Sequence, residues 1–169
     1  MIFVAFAFNV NIQRCEIDVG EEKVIVDKGY RPLIELFMKH GMKADLFFSG
    51  YSTEKILELD PELIETVNKN KGGHFELGTY TYTHPIPQLL TLREFEKQIE
   101  KGLEIDNSVF NVEPEGFLPP EFAFSKDMAS VLKDHGLKWV ITLDSHIKRS
   151  DPSLPDEALH QAYTAQTDG

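Results

Sequence analysis

The sequence predicts a parallel α/β fold, with a buried sheet and helices packed outside it. Three observations carry this. Short apolar runs alternate five times with segments of helical periodicity. The runs are mainly apolar and read as buried strands, which with amphipathic helices between them imply a parallel sheet. Polar clusters follow the runs directly, where parallel α/β architectures place their ligand sites. Five such units fit either a small doubly wound sheet or most of a barrel.

The elements follow in order. Ile2 to Phe8 reads as the first buried strand. Tyr30, Leu33, Ile34 and Phe37 recur at helical spacing, and Gly41 stops that helix. Ala44 to Phe48 is the second strand. Asp60 before Pro61 is an N-cap followed by proline at the first helical position. Leu63, Ile64 and Val67 form that helix's apolar stripe, and Gly72 and Gly73 end it. His74 to Leu77 is the third strand. Thr91 and Glu94 form a capping box for a helix carrying Leu92, Phe95, Ile99 and Leu103. The fourth strand, Gly116 to Leu118, runs into Pro119 and Pro120. Ser125 caps a helix bearing Met128, Val131 and Leu132, closed by Gly136. Lys138 to Leu143 is the fifth strand. From Arg149 the chain turns polar. The expected organisation is one barrel-like domain over 1–148, with 149–169 a polar tail or the start of a further part of the barrel.

Composition narrows the function. The chain has 169 residues, 41% of them hydrophobic, and a net charge of −11. Such a surface repels nucleic-acid backbones and anionic membranes. No apolar run reaches the ~18 residues a membrane span needs. Met1 to Phe8 lacks the basic start and cleavage site of a signal peptide. Cys15 is the single cysteine, which excludes an internal disulfide and a cysteine-rich zinc site. The expectation is a cytoplasmic protein with a neutral or small ligand, neither nucleic acid nor membrane. Oligomeric state is not legible.

Two segments concentrate the chemistry. In Gly78-Thr-Tyr-Thr-Tyr-Thr-His84-Pro85, Tyr80 or Tyr82 could stack on a pyranose while His84 bonds its hydroxyls. The plainer alternative is a strand that continues with packed Tyr and solvated Thr. In Gly116-Phe-Leu-Pro-Pro-Glu121-Phe-Ala-Phe-Ser125, two prolines stiffen a strand exit and present Glu121. A carboxylate on a rigid exit suits nucleophilic or general-base work. The alternative is a surface acid near a helix N-terminus, favoured by the dipole. Asn9, Asn11, Ser49, Asp144 and His146 also follow strands.

Taken together, Phe75-Glu-Leu-Gly-Thr-Tyr-Thr-Tyr-Thr-His-Pro-Ile86, Gly116-Phe-Leu-Pro-Pro-Glu121 and Gly136-Leu-Lys-Trp-Val-Ile-Thr-Leu-Asp144 resemble glycoside hydrolase family 57. The resemblance spans roughly Ile2 to Asp144. It implies an incomplete, TIM-barrel-like parallel (β/α) barrel, of which this chain would supply about five units. It also implies a retaining glycoside hydrolase or glucanotransferase acting on α-glucans, without a cofactor, whose partner is an oligo- or polysaccharide. By position, Glu121 matches the family's nucleophile, His84 the histidine after its third strand, and Glu76 the glutamate shortly before. Phe48-Ser-Gly50 resembles its serine-glycine segment.

The sequence departs from the family at three places. Phe8-Asn-Val-Asn-Ile-Gln13 stands where the family has His-Gln-Pro, with Asn11 at the histidine. Leu118 replaces a tryptophan. The family's acid/base aspartate follows a later strand and has no match here. Asp144 is the stand-in within the chain, expected farther from Glu121 than a retaining pair allows. Asn11, Glu76, Tyr80, Tyr82, His84 and His146 are the expected substrate contacts.

Two other readings stay open. Polysaccharide deacetylases of the NodB type share the His-Pro segment, but their metal needs an aspartate and two histidines. Here those positions read Asn9-Val10, Tyr80 and His84. The candidates His84, His146 and Asp144 are too few for a tightly bound zinc, so no metal is expected. A non-catalytic barrel that binds sugar or a partner is the third reading.

Overall fold

The computed structural model describes residues 4–12, 17–18 and 20–153. Five strands form one parallel sheet: β1 (Ala7–Val10), β2 (Ala44–Phe48), β3 (Phe75–Thr79), β4 (Gly116–Phe117) and β5 (Trp139–Val140). Their spatial order is β1-β2-β3-β4-β5. A doubly wound sheet must reverse its strand order at a switch point. This one advances in a single direction, which is barrel winding.

The helices are α1 (Glu22–Ile25), α2 (Arg31–Lys39), α3 (Gly50–Leu59), α4 (Pro61–Asn70), α5 (Leu92–Phe110), α6 (Lys126–Asp134) and α7 (Asp144–Ser150). A π-helical turn, Val26–Tyr30, joins α1 to α2. No helix among the described residues is long and apolar enough to cross a membrane.

Sequence periodicity missed α1, the π turn and α3. The buried side of α3 is Gly50, Ser52, Thr53 and Ile56. A face of small polar residues leaves no apolar stripe to read. These residues are satisfied instead: Ile12 N–H donates to Ser52 Oγ at 2.6 Å, and Ser49 Oγ to Ser52 Oγ at 2.7 Å. Capping predictions fared better. Asp60 accepts from Leu63 N–H at 3.1 Å while its other oxygen takes Arg31 Nε at 3.0 Å. Thr91 and Glu94 form the expected box at the head of α5. Ser125 occupies the N-cap of α6 but makes no side-chain cap bond.

Strand limits shift. β1 begins at Ala7, later than expected, and residues 1–3 lie outside the described part. β3 extends to Thr79, while β4 and β5 are two residues each. The boundary expected at 149 falls inside α7, and 154–169 lie outside the described residues.

Register and alternation assign the two sheet faces. Leu46, Phe48, Phe75 and Leu77 pack with Ile34, Phe37, Ile56, Leu63 and Val67 of the helices. Phe117 joins Phe95, Ile99, Met128 and Leu132. The opposite, inner face carries Phe47, Tyr80 and Leu118, backed by Trp139 and Ile141. Phe47 and Trp139 meet edge to face at 5.8 Å. They fit because Gly78 and Gly116 have no side chains. A Cβ on Gly78 would lie 2.3 Å from the Phe47 ring, and one on Gly116 2.1 Å from Trp139. Two glycines therefore admit the aromatic layer that fills the inner face.

Candidate functional site

The C-terminal strand ends bring Asn9, Tyr80, His84 and Glu121 together. Asn9 is on β1 and pairs in register with Phe47. Tyr80 follows β3, is 2% exposed, and hydrogen-bonds the Asn9 side chain. Its phenol is pushed up to about 12, first by burial, then by the Glu121 carboxylate, against the opposing bond to Asn9. It therefore stays protonated across the working pH range, a neutral donor close to Glu121. His84 stacks on Tyr80, with ring centroids 5.2 Å apart.

Backbone strain concentrates here. Four non-glycine residues among those described have positive φ: His84 (61°), Asn111 (49°), Glu121 (55°) and Phe122 (53°). Asn111 is an ordinary left-handed helix cap at the end of α5. The other three sit at the strand ends. A left-handed L-residue costs roughly 1–2 kcal/mol, and such strain collects at functional sites.

The Glu121 turn is fixed on both sides. Phe122 N–H donates to Pro119 O at 2.9 Å, and Thr142 Oγ1 donates to Phe122 O at 2.6 Å. Phe117 is buried on the helical face, away from the exposed Glu121. His84 is held by its own N–H, which donates to Thr81 Oγ1 at 3.1 Å.

The other expected residues separate. Tyr82 does not face the site. Its hydroxyl donates to Glu54 at 2.9 Å, Lys101 lies 3.7 Å over its ring, and the ring covers Gly50. The sequence offers Tyr80 and Tyr82 alike as substrate contacts; the structure brings only Tyr80 to Glu121, because the chain leaves the sheet after Thr79 and turns Tyr82 onto α3 and α5. Glu76 is also displaced from the expected face. It pairs with Asp45 near the start of β3, four residues and roughly 13 Å before Tyr80. There it lines a polar hollow of about 550 Å³ with Lys43, Lys71, His74 and Glu115. Asn11 lies just beyond β1, where its carbonyl accepts from Tyr30 Oη at 2.8 Å.

Asp144 opens α7 and His146 follows two residues later. Gln88, which sequence inspection passed over, ties this region to the rest. Its Nε2 donates to Phe124 O at 3.0 Å and lies 3.1 Å from His146 Nδ1. One amide thus joins the segments after β3, β4 and β5. Nothing local in the sequence marks it, since its partners are 36 and 58 residues away.

The residues at the deacetylase metal positions, Asn9, Tyr80 and His84, are adjacent in space. An amide–phenol bond and a ring stack occupy them. A protonated phenol and a carboxamide are poor zinc ligands, so this set does not fit the metal of that chemistry.

Comparison with known proteins agrees with this fold. The chain is 28% identical over 122 residues to a peptidoglycan deacetylase of Helicobacter pylori, covering 72% of this chain and 39% of that protein. Its fold matches a 4-α-glucanotransferase of Thermococcus litoralis with a TM-score of 0.76 at 20% identity, over 90% of this chain and 24% of that one. It also matches a CE4-family pseudoenzyme of Bacillus anthracis, with a TM-score of 0.59 at 19% identity, over 88% of this chain and 46% of that one. The chain thus spans less than half the length of each. The model of glycosyl hydrolase family 57 matches residues 6–169. On that match, and with a singly wound sheet presenting a strained glutamate beyond its fourth strand, the chain belongs to glycosyl hydrolase family 57.

Proposed function

We propose that this chain forms the nucleophile-bearing front part of a retaining α-glucan hydrolase or glucanotransferase. The observation that carries the proposal is the placement of Glu121. Its carboxylate is exposed on a strained turn at the exit of β4, close to the protonated phenol of Tyr80. In this role a Glu121 oxygen bonds the anomeric carbon as the glycosidic C–O bond breaks. A second carboxyl protonates the leaving oxygen. Water or an acceptor sugar then releases the glycosyl group. Tyr80 orients Glu121 by donation, Asn9 orients Tyr80, and His84 and Asn11 contact sugar hydroxyls.

Asp144 is the in-chain candidate for the acid. We place it farther from Glu121 than the ~5–5.5 Å of a retaining pair. Turnover by the 169-residue chain that disappears in Asp144→Asn would overturn that placement. The natural partner is an oligo- or polysaccharide, in keeping with an acidic surface that disfavours polyanions.

A non-catalytic sugar-binding barrel is the second reading. Asn11 at the sugar-binding histidine position and the replaced metal positions favour it. Wild type and Glu121→Gln, assayed for α-glucan cleavage and maltooligosaccharide binding, separate the two. The catalytic proposal expects cleavage lost and binding within a few-fold. No turnover in either protein with equal binding selects the second reading, and full activity in Glu121→Gln ends the nucleophile assignment.

A further inference from the structure

Outside the sheet, the groove between α5 and α6 holds three ligand-type side chains. Phe95 and Ile99 of α5 turn into the core beside β4. Glu96 and Glu100, one turn apart, therefore lie together on the neighbouring face. His135 caps the C-terminus of α6, its N–H bonded to Val131 O and Leu132 O at 3.2 Å. One ligand atom from each of the three lies within 4.8 Å of the other two. His135 Nε2 is buried and has no hydrogen-bond partner. The nearest Glu96 oxygen, at 3.7 Å, is beyond hydrogen-bond reach.

A buried ring nitrogen without a partner is costly, which favours a ligand that completes it. We propose that Glu96, Glu100 and His135 bind a divalent transition-metal ion of the zinc type and clamp α5 to α6. One imidazole and two carboxylates suit zinc or cobalt, whereas magnesium and calcium prefer oxygen alone. Ligands at ~2.0–2.2 Å from zinc stand roughly 3.3–3.5 Å apart. Reaching that spacing needs about 1.5 Å of movement from the present spread, supplied by the Glu stems. Glu100 is exposed and the Glu96 side chain is 46% exposed, so neither is locked by packing. Water would fill the open positions.

The clamp would act behind the strand-end loops. Gln98, between the two glutamates, bonds the backbone of Tyr82 and Thr83. Gly102 lets α5 approach the Tyr80 carbonyl. The strand-end residues His84, His146 and Asp144 take no part, so the site stands apart from the proposed catalytic face.

Calorimetric titration of zinc chloride into tag-free, chelator-stripped full-length chain tests the proposal, with melting curves alongside. One equivalent should bind and raise the melting temperature. His135→Gln and Glu100→Gln should each weaken binding by about tenfold or more, with the metal-free melting temperature of Glu100→Gln unchanged. If His135→Gln does not fold, Glu100→Gln decides alone. His84→Gln/His146→Gln should bind as wild type does. Absent or non-stoichiometric binding, binding indifferent to Glu100→Gln, or binding lost in His84→Gln/His146→Gln would each overturn the site.

Discussion

Replacing Asp106 with asparagine should make the protein more stable, by a margin that grows with pH. Asp106 lies on the buried side of α5 at 2% exposure, and burial pushes its carboxyl up to about 7 against the opposing hydrogen bond to Thr79. Its second oxygen has no partner. In the unfolded chain the group titrates near 3.8. Below pH 4 both states hold the proton and the group is neutral to stability. As pH rises through the window from about 4 to about 7, the unfolded chain ionises while the folded one does not, and stability is lost. About 3 pH units at 1.36 kcal/mol each give a loss approaching about 4 kcal/mol. Above pH 7 the loss levels off. Urea unfolding of wild type and Asp106→Asn at pH 4, 5.5, 7 and 8.5 measures this. The amide keeps an acceptor for Thr79 and cannot ionise, so the difference between the two proteins should be small at pH 4 and plateau above 7. A difference independent of pH, or a wild type that gains on the variant as pH rises, would refute the argument.

Other predictions follow from the same structure. Gly116→Ala drives a Cβ into the Trp139 ring and should destabilise by about 1–3 kcal/mol, with a changed tryptophan emission spectrum. Equal emission and stability would mean the inner layer is loosely packed. Glu121→Gly relieves a left-handed backbone and should leave stability unchanged or raise it by up to about 1 kcal/mol, while in the catalytic proposal activity is lost. A clear loss of stability would show that the turn is not strained. Asp60→Ala removes the α4 cap and the Arg31 partner and should cost about 1–2 kcal/mol in denaturant unfolding. Tyr80→Phe removes the donor close to Glu121, and in the catalytic proposal lowers kcat far more than substrate affinity; an unchanged kcat would remove Tyr80 from the site.

Periodicity and caps are local properties, so they survive in the sequence. The strand at Ala44–Phe48, the α4 start at Asp60-Pro61 and the α5 box at Thr91 and Glu94 were all legible. α3 was not, because Ile56 is the single apolar side chain on a buried face otherwise made of Gly50, Ser52 and Thr53, and the polar part of that face is satisfied by hydrogen bonds to Ile12 and Ser49. Glu121 was legible because Pro119-Pro120 announces a rigid exit. Tyr80 and Tyr82 were indistinguishable in a Thr-Tyr alternation. Only the path of the chain beyond Thr79, tied to Gln98 of α5 and Tyr51 of α3, sends one ring inward and the other out.

The sequence by itself therefore determined the α/β alternation, the caps and the glutamate at a strand exit, since each depends on residues within a few positions of one another. The tertiary structure alone decided the winding. A five-unit pattern is the same for a doubly wound sheet and a barrel until strand order is known, and the order β1-β2-β3-β4-β5 rests on pairings 30 or so residues apart. It also decided that Glu76 lies at the start of its strand, that Tyr82 turns away from the strand ends, that the Asn9 side chain meets Tyr80, and that Gln88 ties Phe124 to His146. Tyr82 and Gln88 lie beyond β3, so the path of the loop places them, whereas strand register sets which face each sheet residue takes, and one residue of slip would send those residues to the opposite face.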